Sequence, residues 1–256
     1  MTIKTDYSKA FSYARMQNGV KAVRSVVIKN NGAQPISKAR LNISFDPPFS
    51  TGFETVISGL DSKQKVILDD ISILPSPTFL ANLTERVNGT MVVTCETKEE
   101  GISREEYPVS LLPYDFWEGV VEGAGLLTSF VVPNHPEIRP ILSRASEKLG
   151  QWTGNPALNG YSDVNPNRVK MQMAAIYEAL VEKGITYAIP PASFAEQGQR
   201  IRLPEDIFSG GFATCLDAAL LYAGCLEASG LRPLVILHEG HAYGGCWLIE
   251  KTSHTP

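Results

Sequence analysis

Residues 210–230 read GGFATCLDAALLYAGCLEASG and form the most informative stretch of this 256-residue chain. Two glycines precede Thr214, a residue type that caps helices, so Cys215 is expected to be the first helical residue. Apolar residues at helical spacing follow, and Gly230 ends the pattern. A thiol at a helix N-terminus lies at the positive end of the helix dipole, which favours its thiolate form. The stretch therefore predicts a helix that begins on a reactive cysteine, with Asp217 holding its first turn.

A histidine follows this helix on a segment with a strand pattern. Residues 234–238 predict a buried strand, and a glycine turn leads into a second strand predicted over residues 241–249. This order lets the second strand lie against the N-terminal end of the helix, where an imidazole can take the proton of a thiol. We therefore expect Cys215 to be a nucleophile and His241 its general base. The N–H groups at the start of the helix, that of Cys215 included, would form part of an oxyanion hole.

These residues resemble the transglutaminase-like superfamily, whose members share a papain-like Cys–His–Asp arrangement. The family pattern is Gly-x-Cys with an acidic residue two positions later, and His-Ala-aromatic on a later strand. Here it reads ATCLD at residues 213–217 and HAY at residues 241–243, with Ala213 in place of the first glycine. The earlier helix and Ile-x-Tyr segment at residues 171–187 are also similar, so the resemblance covers residues 125–256.

A narrower resemblance is to the N-terminal region of large bacterial helicase-related proteins, in which a β-sandwich precedes such a thiol domain. It is carried by PPASFAEQGQRIRLP at residues 190–204 and LHEGHAYGGCWL at residues 237–248. The resemblance implies a protein substrate or partner protein, and a helicase or ATPase as a partner or fused domain. It implies no cofactor.

The first part of the chain has a different periodicity. Residues 41–45 alternate apolar and polar, and turn signals at residues 30–32 and 88–89 separate further short strand patterns. Such spacing predicts an antiparallel sandwich. The predicted class is therefore α+β, with an immunoglobulin-like β-sandwich over residues 1–112, a linker over 113–125 that mixes Pro, Gly and aromatic residues, and a papain- or transglutaminase-like thiol domain over 126–256.

A complete triad needs a third polar group that orients the histidine. In the superfamily this is an Asp on the strand after the histidine strand, which does not fit before Pro256, so the chain is expected to be a piece of a longer protein. Glu250 is the only carboxylate after His241, although strand alternation turns it away from the face of His241. It stays a candidate only if a bulge shifts the register.

Three further residues are candidates for positioning the substrate or an oxyanion. Gln197 and Gln199 precede the cysteine, and a papain-like site often uses an upstream glutamine; the alternative is that both lie on a solvated loop. Tyr243 shares the predicted strand face of His241. Tyr187 is expected to lie in the core or the cleft wall.

Composition excludes several other classes of protein. The net charge is −4 and no run of Lys and Arg occurs, so direct nucleic-acid binding is not expected. No signal peptide and no apolar stretch of about 20 residues occurs, so a cytoplasmic protein without membrane contact is expected.

The cysteines and histidines are also the residue types that bind zinc. His238, His241, Cys215 and Cys246 could in principle form such a site, but strand alternation sets His241 and Cys246 on opposite faces, so no metal is expected. Cys225 and Cys95 are expected to be core residues.

Two functions from different classes remain. The first is a cysteine protease or a transglutaminase-like enzyme, a hydrolase or acyltransferase acting on a peptide or isopeptide bond within a helicase-related or defence-type system. The second is a catalytically inactive transglutaminase-like module that docks or senses a partner protein.

Overall fold

The computed structural model describes residues 1–190 and 194–250. The chain divides into two compact units, Met1–Tyr114 and Asp115–Pro256. The first unit is built mainly of strands, and the second combines helices with short strands. The chain is therefore a mixed α and β structure, as the sequence predicts.

The first unit contains two sheets. One sheet has the order β1-β3-β6 and the other the order β2-β8-β7-β4-β5; all strand pairs are antiparallel except β2 and β8. The strands are β1 (Thr2–Tyr7), β2 (Ala10–Phe11), β3 (Val23–Lys29), β4 (Ile36–Asp46), β5 (Phe53–Leu60), β6 (Lys65–Leu68), β7 (Val87–Thr97) and β8 (Gly101–Leu111). Two short helices, α1 (Tyr13–Gln17) and α2 (Pro77–Ala81), complete the unit.

The alternating pattern of β4 shows why these strands form sheets. Leu41 and Ile43 are fully buried while the intervening polar residues are less so, because successive side chains point to opposite faces. Val26 and Ile28 of the other sheet belong to the same hydrophobic core. Each such side chain stabilises the fold by about 1.5–3 kcal/mol when it is fully buried. The strand predicted over residues 41–45 is therefore confirmed within β4.

The second unit places helices around a few short strands. Its helices are α3 (Gly119–Gly123), a 3-10 helix (Ala124–Phe130), α4 (Ile138–Thr153), α5 (Pro166–Val181), α6 (Phe194–Gln197), α7 (Pro204–Gly210) and α8 (Cys215–Ala228). Its strands are β9 (Phe116–Trp117), β10 (Thr186–Tyr187), β11 (Gln199–Arg200), β12 (Phe212–Ala213), β13 (Pro233–His238) and β14 (His241–Cys246). β9 pairs with β11, β10 pairs in parallel with β12, and β13 and β14 form a hairpin. Within the described residues, no helix is both long enough and apolar enough to cross a membrane.

Helix α8 forms the centre of this unit. Ile141 of α4, Ile176 of α5 and Leu226 of α8 are fully buried and belong to one hydrophobic core. Cys225 lies in the same core, and Cys95 is buried on β7 of the first unit, as the sequence predicts for both.

Residues 115–125, predicted to be the greater part of a linker, are instead folded within the second unit. Trp117 is buried, and its indole N–H donates a 2.8 Å hydrogen bond to the carbonyl of Gly123. Its strand pairs with β11. The Pro- and Gly-rich composition suggested a linker, but burial of the indole with a satisfied N–H stabilises a folded segment at Trp117.

Candidate active site

Cys215 is the first residue of α8, and a complete capping box holds it there. Thr214 is the N-cap in an extended conformation, and its hydroxyl accepts a 3.2 Å hydrogen bond from the N–H of Asp217. The carboxylate of Asp217 accepts a 2.9 Å hydrogen bond from the N–H of Thr214 in return. Cys215 therefore has the position that the sequence predicts, where backbone N–H groups lack partners within the helix and the dipole favours negative charge.

A second contact fixes the carboxylate of this capping box. The backbone N–H of Arg202 donates to Asp217 at 2.9 Å, and its guanidinium donates to the same carboxylate at 3.0 Å. The guanidinium also lies over the ring of Phe212, at 4.6 Å from the centroid. Asp217 is fully buried, so its charge requires these partners. The sequence alone does not indicate this role of Arg202, because a partner 15 residues away leaves no local pattern.

Cys215 and His241 line the same pocket, which has a volume of about 510 Å³. The pocket lies among α5, α8, β10 and β14, all within the second unit. Cys215 is 6% exposed and His241 is half-buried. The structure therefore brings together the two residues that the sequence singles out, and their roles as nucleophile and base stay predictions.

Two tyrosines lie beside the pair. The ring of Tyr243 packs edge-on against the imidazole of His241 at 4.7 Å, and the ring of Tyr187 is 6.4 Å from it, centroid to centroid. The pKa of Tyr187 is raised first by desolvation, then by the charge of Cys215 and by a hydrogen bond to that thiol. Tyr187 therefore keeps its hydroxyl proton at neutral pH and can donate it in a hydrogen bond beside the thiol. It forms part of the cleft wall.

Glu250 is not placed to orient His241. Its carboxylate is 3.7 Å from the guanidinium of Arg232 and is 69% exposed, and it does not line the pocket. β14 ends at Cys246, so the regular alternation assumed for residues 241–249 stops four residues before Glu250. Among residues 1–190 and 194–250, no hydrogen bond to the His241 imidazole is found. The third member of a triad is therefore not provided by Glu250.

The two candidate glutamines have different environments. Gln197 is exposed at the end of α6 and does not line the pocket. Gln199 is buried on β11, and its amide N–H donates a 3.2 Å hydrogen bond to the hydroxyl of Thr214, the residue before Cys215. The amide oxygen of Gln199 is buried, and in the described part of the chain it has no hydrogen-bond partner. Gln199 therefore supports the start of α8 directly, whereas Gln197 is not among the described residues that line the pocket.

The residue types that suit zinc do not converge. The thiol of Cys246 lies 3.4 Å from the hydroxyl of Tyr161, and the pKa of this thiol is raised by burial. His238 is exposed, and its closest charged partner is Glu239 at 3.8 Å. Across the described ranges, no group of three His, Cys, Asp or Glu side chains could hold a metal ion.

Comparisons with known proteins give no family. No family model matches the chain, and no curated protein matches it. Among solved structures, the chain is similar to the YadV chaperone (12% identity, 44% of this chain and 52% of that chain, TM-score 0.28). It is also similar to the periplasmic chaperone SfaE (8% identity, 44% and 57%, TM-score 0.27). A third structure is titled a putative protease from Parabacteroides distasonis ATCC 8503 (14% identity, 91% and 55%, TM-score 0.23).

The chain spans about half the length of each of these structures. At such TM-scores the likenesses carry no argument about fold or activity.

Proposed function

We propose that the chain is a cysteine-dependent hydrolase or acyltransferase acting on a peptide or isopeptide bond. The observation that carries the proposal is the position of Cys215, the first residue of a capped helix, in one pocket with His241. A helix start lowers the free energy of a thiolate, and an imidazole in the same pocket can accept the thiol proton. In this proposal the second unit has a papain- or transglutaminase-like fold, and the first unit is an immunoglobulin-like sandwich.

The reaction would follow from these groups. His241 takes the proton of the Cys215 thiol, and the thiolate attacks the carbonyl carbon of the substrate. The negative charge that develops on the carbonyl oxygen is stabilised by the N–H groups at the start of α8. When the tetrahedral intermediate collapses, the leaving amine takes the proton from His241 and the acyl group stays on sulfur as a thioester. Water or a second amine then releases the acyl group and restores the thiol.

The alternative proposal is an inactive docking or sensing module for a partner protein. One observation favours it: within residues 1–190 and 194–250, no side chain orients His241 by a hydrogen bond. In this case Cys215→Ala would keep full biological activity. In the enzyme proposal the same variant loses it. For either function, a helicase or ATPase as partner or fused domain is a proposal carried by the sequence resemblance alone. A cytoplasmic location also stays a proposal.

Thiol reactivity tests the enzyme proposal. At pH 6, iodoacetamide should label Cys215 at least tenfold faster than Cys95 and Cys225, which burial keeps as protonated thiols with pKa values of about 11 and about 12. His241→Ala should slow the labelling of Cys215 about tenfold. Peptide mapping by mass spectrometry measures each rate.

His238→Ala is the matched control, since His238 lies opposite His241 in the β13–β14 register and is exposed. This variant should label like the wild type. Equal slowing by the two histidine substitutions would exclude His241 as the specific base.

A further inference from the structure

The pocket beside Cys215 is lined mainly by apolar side chains and tyrosines in the part of the chain that the structure describes. Apart from Cys215 and His241, the described residues that line it are aliphatic residues, tyrosines, one threonine and one glycine, with no Asp, Glu, Lys or Arg among them. A volume of about 510 Å³ lies within the range of pockets that bind small ligands. The pocket is therefore suited to an uncharged group.

Apolar and aromatic side chains at the outer wall of the pocket are exposed to solvent. Tyr177 and Val181 of α5 are 60% and 53% exposed, and Tyr243 of β14 is 52% exposed on the opposite side. Covering such surface gains about 25 cal/mol for each Å² removed from water. A ligand that fills the space between α5 and β14 would therefore gain binding energy without any charged contact.

Small residues keep the inner part of the pocket open. Ala218 and Ala219 of α8 line it, and Ala218 is exposed three residues after Cys215, which places it on the same helix face. On β14 the position facing the helix is Gly244, where an added Cβ would lie 2.6 Å from the ring of Tyr222. The space thus begins directly beside the thiol.

Two carboxylates at the C-terminal end of the bordering helix α5 are already paired. Glu182, the C-cap residue of α5, accepts hydrogen bonds from the guanidinium of Arg144 at 2.6 and 3.0 Å, and the ammonium of Lys148 lies 2.6 Å from it. Glu178 is 3.9 Å from the same ammonium. These ion pairs join α5 to α4, so they do not provide a charge for recognising a charged substrate.

We propose that this pocket binds an aliphatic or aromatic side chain of the acyl donor, next to the carbonyl that Cys215 attacks. The proposal rests on the enzymatic function proposed above. It names the substrate class: an apolar residue on the acyl side of the bond. A carboxylate or ammonium in that position would be desolvated without a partner and would be rejected.

Three thiol reagents test the pocket separately from the catalytic pair. Iodoacetamide, N-benzyliodoacetamide and iodoacetate are each reacted with the protein and with glutathione, and each protein rate is divided by the glutathione rate. For Cys215 we expect the benzyl reagent to exceed iodoacetamide about tenfold and iodoacetate to fall below it. Equal normalised rates for the three reagents, with Cys215 still faster than glutathione, would overturn the pocket proposal alone. No enhancement with any reagent would overturn the proposed function.

Two substitutions test whether the preference of Cys215 for the benzyl reagent arises in the pocket. Val181→Asp places a charge at the pocket wall, and Ala218→Leu fills the space beside the thiol; each should lower the ratio of the benzyl rate to the iodoacetamide rate to near one. Val121→Asp is the matched control, because Val121 is exposed on α3 and does not line the pocket. An unchanged ratio in both pocket variants, or an equal loss in the control, would contradict the assignment. Thermal unfolding of each variant verifies that it is folded.

Discussion

Cys215 and Cys225 lie ten residues apart on the same helix, yet their surroundings differ in ways that matter for reactivity. Cys225 is fully buried in the core around α8, and burial raises the pKa of its thiol to about 12. Cys215 is 6% exposed, begins the helix and lines the pocket of His241. Exposed area alone hardly distinguishes the two thiols. Their position along the helix does, because only the first turn offers free N–H groups and the positive end of the dipole.

The largest effect is expected at the carboxylate that caps the first turn. Asp217→Ala leaves the N–H of Thr214 and the Arg202 guanidinium without their buried partner. We expect the second unit to lose about 3–5 kcal/mol of stability. Urea unfolding followed by tryptophan fluorescence measures this, since all three tryptophans lie after residue 114.

Glu227→Ala is the control at the other end of α8, where the side chain is exposed. Its effect should stay within about 0.5 kcal/mol. Similar losses from the two substitutions would show that the capping box does not specially hold the start of the helix.

Exchanging the thiols for hydroxyls should separate stability from reactivity. Cys225→Ser buries a hydroxyl in an apolar core and should destabilise the second unit by about 1–3 kcal/mol, while fast labelling of Cys215 persists. Cys215→Ser should abolish fast labelling with a smaller loss of stability. Urea unfolding and iodoacetamide labelling on the same samples check both. Loss of the fast labelling in Cys225→Ser would contradict the assignment of reactivity to Cys215 at the helix start.

Two neighbouring glycines test how closely the histidine strand packs on the helix. A Cβ on Gly244 would lie 2.6 Å from the Tyr222 ring, whereas one on Gly245 would meet nothing nearer than 3.7 Å. Gly244→Ala should therefore cost about 1–3 kcal/mol and slow the labelling of Cys215 by displacing His241. Gly245→Ala should change both quantities little. Equal effects of the two alanines would argue against the close packing of β14 on α8.

The smallest effect is expected from acid, which weakens the ion pairs of Glu182 and so lowers the stability of the second unit. Hydrogen bonds from Arg144 and then Lys148 lower the pKa of Glu182 to about 2 from an ordinary value near 4.5. A lowered pKa contributes stability above the unfolded value, and that contribution is lost as pH falls from about 4.5 to about 2. Glu182→Gln should flatten the pH dependence of unfolding in this window, as measured by fluorescence. An unaltered slope would show that the α4–α5 ion pairs do not contribute.

The sequence predicts the residues at the helix start, but it does not predict the distant residues that hold them in place. The residues from Thr214 to Asp217 form a local pattern, so the helix start and its cap follow from the sequence alone. The alternation in β4 was equally local. Arg202 and Trp117 could not be found this way, because their roles arise from partners that approach only in the folded chain. The end of the histidine strand at Cys246 was missed for the same reason, and with it the environment of Glu250.

The central claim, that Cys215 accepts an acyl group with the help of His241, has a direct test. The protein is mixed with p-nitrophenyl acetate at pH 7, p-nitrophenol release is followed by absorbance, and the acylated peptide is identified by mass spectrometry. The account predicts a burst of one equivalent with the acetyl group on Cys215, absent in Cys215→Ser, strongly slowed in His241→Ala and kept in His238→Ala. Absence of a burst, or an acetyl group distributed over other residues at the same rate in all variants, would contradict it.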